Sequence, residues 1–289
     1  MKKSKLVLGI VVVFIIAAVG VYFGIQVYAN SKSKNEMDDF VNKVKPYTNV
    51  VYDDVSINLL NQQTSIKNLK VSPVGSNETT LIDEVIVSKF KTKNDFPTSL
   101  HVEVNGIHVT ADSLKDETLK KLGYDKIKAD MELKYVYDDV NKELAVDRFS
   151  SGIQEMGTIN ISFNLGNISI EKNMLLSFLF TYTTIEIKSA EIKYVDNSFM
   201  TKLLDGEAKK ANITKEQLLQ KINDDIDKNT ANETNPFVKE SIAAVKAFIK
   251  NPKKLSLSIS PKKPVTIGEL QALSNPSDVI ELLQIKISS

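Results

Sequence analysis

Cysteine is missing from the 289 residues, and so is tryptophan; histidine occurs twice, and arginine only at Arg148. Without cysteine there are no disulfides, no thiolate nucleophile and no Cys-based zinc or iron–sulfur site. A single arginine leaves almost nothing for bidentate recognition of phosphate or carboxylate. Charge of either sign is not in excess, since 37 Lys+Arg against 36 Asp+Glu give a formal net charge of +1. A nucleic-acid binder would show a basic surplus, so that class is excluded as an expectation. Glycine-rich phosphate loops, G-x-S-x-G and H-E-x-x-H are absent as well. The fold must therefore rest on its apolar core, and the chain after residue 30 is long enough to build one.

What the sequence does have is one long apolar run. Leu6 to Ile25 reads LVLGIVVVFIIAAVGVYFGI without a charge, and about 20 such residues match the thickness of a bilayer's hydrocarbon layer. The expectation is an N-terminal transmembrane helix, with Tyr22 and Tyr28 toward the headgroups. The run is longer than a signal peptide's apolar region, which favours an uncleaved signal-anchor over cleavage after Ala29. Lys2, Lys3 and Lys5 favour a cytoplasmic N-terminus, which places the body outside the cytoplasm, in the periplasm or at the cell surface. Gly20 and Gly24 form a small-xxx-small pair able to seat a second copy as a homodimer within the bilayer.

The expected division is anchor 1–30, stalk helix 31–46, a β-rich domain 47–195 and a helical segment 196–289 that returns to strands. Met37, Phe40, Val41 and Val44 recur at helical spacing before Pro46. Residues 51–59 then alternate with period two, and Leu81–Phe90 reads as a further strand. In Leu100–Thr110, Asn105-Gly106 sits between alternating residues, the signature of a two-residue hairpin turn. Ile127–Tyr137, Leu144–Phe149 and Ile159–Leu165 predict an antiparallel meander with one wet face, and Ile185–Val195 adds a strand. Thr214-Lys-Glu-Gln217 has capping-box spacing, and Asn235-Pro236 opens a helix whose stripe is Val238, Ile242, Val245 and Ile249. Leu255, Leu257 and Ile259, then Leu283, Ile285 and Ile287, alternate at the end. Either these late strands rejoin the sheet around a helical insertion, or Asp196 begins a small α/β domain. The fold class expected is α+β: transmembrane helix, antiparallel β body, helical insertion or subdomain.

The segment Tyr52–Pro73, with its strand Ile66-Lys-Asn-Leu-Lys-Val71 just after the anchor, resembles the start of AsmA-type envelope proteins. That resemblance implies a curved β groove and phospholipid handling.

Candidate chemistry is sparse. With a turn at Asn105-Gly106, Glu103 pairs across from His108, and His101 lies on the same face, a zinc-compatible trio. The expectation is nonetheless a solvated hairpin face with no metal, Val102, Val104, Ile107 and Val109 forming the core side, because nothing supplies supporting partners. The paired carboxylates, such as Asp53-Asp54 and Asp138-Asp139, point to opposite faces and lack a Ca²⁺-loop pattern. Sequons at Asn77, Asn160, Asn167, Asn212 and Asn232 are assigned no function, and VYDDV at 51–55 and 136–140 is a minimal hint of repetition.

These readings point to a membrane-anchored, non-enzymatic envelope protein without a cofactor. Its β body binds lipid or another apolar ligand in a groove left where helices do not cover an apolar sheet face. The alternative is an accessory subunit of an envelope complex acting through protein contacts. Third comes an enzyme built on carboxylates or the two histidines.

Overall fold

Alternation between apolar and polar residues over ten or more positions commits a chain to long strands with one buried face. Such strands dominate the computed structural model, which describes residues 33–58, 60–61, 63–75, 79–93, 96–110, 117–169 and 181–289. Twelve strands of antiparallel β-sheet are β1 (Thr48–Val51), β2 (Asp54–Asn58), β3 (Gln63–Pro73), β4 (Thr80–Lys93), β5 (Phe96–Thr110), β6 (Lys126–Asp138), β7 (Glu143–Ile153), β8 (Gly157–Gly166), β9 (Glu186–Asp196), β10 (Lys254–Ile259), β11 (Val265–Thr266) and β12 (Lys286–Ser288). The helices are α1 (Ser33–Val44), α2 (Glu117–Lys121), α3 (Phe199–Ala211), α4 (Lys215–Asn229), α5 (Pro236–Lys250), α6 (Ile267–Ala272) and α7 (Pro276–Leu283).

The expected fold class is corrected on this evidence. The described chain is mostly antiparallel sheet with some helices, rather than an α+β body behind a transmembrane helix. Among the described residues no helix is long and apolar enough to cross a membrane. Leu6–Ile25, with Gly20 and Gly24, lies outside the described residues. The helices α3 to α5 are an insertion in the sheet's sequence order. They lie in sequence between β9 and β10, which are hydrogen-bonded neighbours, Leu255 opposite Tyr194 and Leu257 opposite Ile192.

Two compact units are distinguished: the described residues up to Val136 with Phe149–Gln154, and Tyr137–Arg148 with Glu155–Ser289. In the first, strand order runs β1-β3-β4-β5-β6, and β2 also pairs with β3. Its apolar face is buried along β3, β4 and β5 and partly buried along β6. Ile66 and Val85 have no exposed surface, and Leu69, Ile82, Val102, Val104 and Ile107 are buried with them. The helix expected as a stalk packs here: Met37 is fully buried, with Val41 and Val44 against the same core.

The Asn105-Gly106 hairpin does not form. Strand β5 runs unbroken through it, pairing with β4 on one side and β6 on the other. The pair instead marks a bulge against β6, where the register shifts between Val104 and Ile107. Gly106 takes φ +68° there, a conformation that costs a residue with a Cβ but not glycine. Its N–H donates to the Asp130 carboxylate at 2.7 Å, and a Cβ at this position would overlap the Asp83 carboxylate.

In the second unit the order is β8-β9-β10-β12, with β11 also on β9. Both capping signals act as read. Thr214 and Gln217 form a reciprocal capping box at α4, and Asn235 accepts the Phe237 and Val238 N–H groups at the start of α5. Helix α5 rests against β10 and β12.

Candidate functional site

Cross-strand register decides which side chains share a face, because residues directly opposite project the same way. In the second unit this arithmetic gives three rows. Ile161, Ile192, Leu257 and Ile287 stand in line across β8, β9, β10 and β12. Ile159, Tyr194 and Leu255 form the row on one side, and Phe163, Ala190 and Ile259 the row on the other. All ten are apolar or aromatic. The reverse face is polar, with Asn160, Lys193, Ser256 and Ser288 in its central row.

Such a face in water should be covered, and this one is covered only in part. The Phe248 ring of α5 meets Tyr194 edge-on, centroids 5.9 Å apart, and Tyr194 lies over Gly157, where a Cβ would come within 2.9 Å of its ring. Its hydroxyl donates to Asp196 at 2.6 Å. The cover is incomplete: Ile159 and Ile192 are each 47% exposed, and no member of the three rows is fully buried. In the first unit the apolar residues of β3, β4 and β5 are buried more deeply, while Ala129, Met131, Leu133 and Tyr135 of β6 are partly buried. A half-open apolar surface fits apolar ligands, since about 25 cal/mol is gained per Å² of apolar area removed from water.

The sequence-derived trio of His101, Glu103 and His108 is not brought together. On a single continuous strand, His101 and His108 are about 20 Å apart at roughly 3.3 Å per residue, too far for one metal ion. Glu103 faces Ile86 and Glu132 rather than His108. Among the described residues no group of three or more His, Asp or Glu side chains is arranged to hold a metal.

Each histidine instead has its own partners. His108 Nε2 donates to Asp83 at 2.7 Å, and Lys128 Nζ donates to the other Asp83 oxygen at 2.7 Å. Hydrogen bonds from Lys128, then His108, hold the Asp83 carboxyl below its usual range. His101 Nε2 lies 2.9 Å from Glu132 and 3.6 Å from Glu103, and its Nδ1 lies 3.2 Å from the Ser88 hydroxyl. Neither Ser88 nor Glu132 stood out in the sequence. They reach His101 from neighbouring strands, and the one signal pointing to them was their place on the polar side of alternating segments.

Comparison with known proteins adds extent rather than activity. No solved structure matches the chain. A protein of Aquifex aeolicus (strain VF5), described as an uncharacterized protein, is 25% identical over 284 residues, spanning 93% of this chain and 92% of that protein. A family model described as "Uncharacterized protein" matches residues 150–289, the span that holds β8 to β12 and therefore the half-open apolar face.

Proposed function

We propose that this chain is a binding protein for an acyl-chain lipid or a similar apolar ligand, taken up on the β8–β9–β10 face. The observation that carries this reading is the set of three all-apolar rows left half-open at Ile159 and Ile192. The resemblance of Tyr52–Pro73 to AsmA-type proteins points to the same ligand class. The uncharged run Leu6–Ile25 supports a place at a membrane, with the body outside the cytoplasm. Native mass spectrometry of the full-length chain after mild extraction tests the proposal. An adduct with the mass of an acyl lipid is expected. A chain that carries no adduct and takes up no added phospholipid contradicts it, and co-purification of a defined protein in its place would favour the accessory-subunit reading.

A further inference from the structure

One of the two histidines has the surroundings of a general base, and the apolar-ligand reading makes no use of it. We propose that Ser88, His101 and Glu132 form an acyl-transfer centre on the polar face of the first unit, hydrolysing small carboxylic esters. This activity lies in the other unit from the apolar face and stands or falls separately.

Geometry comes first. Ser88 Oγ is 3.2 Å from His101 Nδ1, and His101 Nε2 is 2.9 Å from Glu132 Oε1. That is nucleophile, base and orienting carboxylate in line, each within hydrogen-bond reach of the next. The ring proton is assigned by its partners: two carboxylates at Nε2, Glu132 and Glu103, keep it there, and the Nδ1 lone pair faces the serine hydroxyl. Glu103 and Glu132 are also directly opposite in the β5–β6 register. Two like charges so placed repel, unless a group between them carries positive charge. His101 is that group: once it accepts the serine proton, its Nε2–H faces both carboxylates.

Rigid support comes from β4, β5 and β6, with Ser88 directly opposite His101. Immediately after Ser88 the strand breaks step. Lys89 takes φ +51°, and two residues of β4, Lys89 and Phe90, oppose one residue of β5 before Lys91 meets Ser99. A non-glycine residue in left-handed backbone beside a candidate nucleophile is the kind of outlier that marks functional sites.

A cavity of about 280 Å³ opens on the same face next to the centre; Gln63, Ser65, Lys67, Glu84 and Ile86 are among its lining, and Ser88, His101 and Glu132 are not. Ile86 is two residues before Ser88 on the same side of β4, and Gln63 takes the register step after Thr64 opposite Val87, beside Ser88. The cavity is small and mainly polar, with one apolar residue, so it fits a short acyl group on a polar alcohol rather than a long chain.

The chemistry balances with water as the only co-reactant. Ser88 Oγ bonds to the ester carbonyl carbon as its proton passes to His101 Nδ1. The tetrahedral adduct collapses, the C–O bond to the alcohol breaks, and the alcohol leaves with that proton. Water then attacks the acyl-serine, gives a proton to Nδ1, and the carboxylic acid departs as Ser88 Oγ is reprotonated. Glu132 acts as a positioning residue.

The test uses the full-length chain with a fluorophosphonate probe and, separately, p-nitrophenyl acetate. The expected results are probe mass on Ser88 by peptide mapping, and a loss of at least about 100-fold in hydrolysis for Ser88→Ala. Glu132→Gln is expected to lower kcat about tenfold at unchanged KM and to alter the pH–rate profile, and Glu132→Asp to restore part of the rate. An unmodified Ser88 in chain that is folded by circular dichroism overturns the proposal. So does hydrolysis by Ser88→Ala at the wild-type rate.

Discussion

Adding one methyl group at Gly106 probes the bulge that replaced the expected hairpin. Two costs arise in Gly106→Ala. A residue with a Cβ held at φ +68° loses about 1–2 kcal/mol to left-handed backbone. The new Cβ also stands 2.8 Å from the Asp83 Cβ and overlaps the carboxylate beyond it, so Asp83 must leave its rotamer at about 1 kcal/mol. Lower entropy of the unfolded chain returns about 0.5 kcal/mol, for a net destabilisation of about 2 kcal/mol. Gly75 is the control, at φ +78° with nothing within 4 Å of an added Cβ, so Gly75→Ala should cost only the backbone share, about 1 kcal/mol. Urea denaturation followed by far-UV circular dichroism and tyrosine fluorescence compares them, there being no tryptophan. In the Asp83→Gly background most of the excess at Gly106 should disappear. A Gly106→Ala cost equal to that at Gly75, or undiminished without the Asp83 side chain, would refute the bulge geometry.

Two further outcomes follow from buried and capping groups. Burial pushes the Tyr135 phenol up to about 12, and its hydroxyl donates to the Pro97 carbonyl at 3.0 Å. Between pH 10 and about 12 the unfolded chain releases a proton that the folded chain keeps, so stability falls as pH rises through that window. Tyr135→Phe should lose about 1 kcal/mol at pH 8, and that deficit should shrink by pH 11; Tyr52, also raised to about 12 by burial and then Asp38, leaves a residual slope. A deficit independent of pH in denaturation at the two values would contradict this. At α4, Thr214→Ala removes the hydroxyl that accepts the Gln217 N–H at 3.2 Å and should cost about 1 kcal/mol. Thr214→Ser should recover most of it, and hydrogen exchange in the first turn of α4 reads both.

Several elements were legible because they are local. The run Ile127–Tyr137 became β6, the caps at Thr214 and Asn235 set helix starts, and the alternation of Leu255 to Ile259 became β10. The Asn105-Gly106 error shows where local reading stops. A two-residue turn and a one-residue bulge shift the face alternation at the same point, so Val102, Val104 and Ile107 are core residues in both cases. Only the strands on either side distinguish them, and β4 and β6 are remote in sequence. The same limit hid Ser88 and Glu132, which lie 13 and 31 residues from His101 and meet it through register alone. The repeated VYDDV also acts differently in its two places. The first copy passes from β1 to β2 across Tyr52-Asp53, and the second ends β6 in a turn closed by Asp138 accepting the Val140 and Asn141 N–H groups.

The half-open face is tested most directly by charging it. Ile159→Lys/Ile192→Lys changes two side chains that are each 47% exposed, so the fold should survive with a loss under about 1 kcal/mol. Each half-exposed isoleucine offers roughly 1 kcal/mol of further burial to a ligand, so the double variant should bind an acyl probe at least about tenfold more weakly. Titration of cis-parinaric acid fluorescence against the full-length chain and the double variant reads this. Saturable binding by the wild type and a right shift of tenfold or more in the folded variant are expected. No binding by the wild type, or superimposable curves, would contradict it.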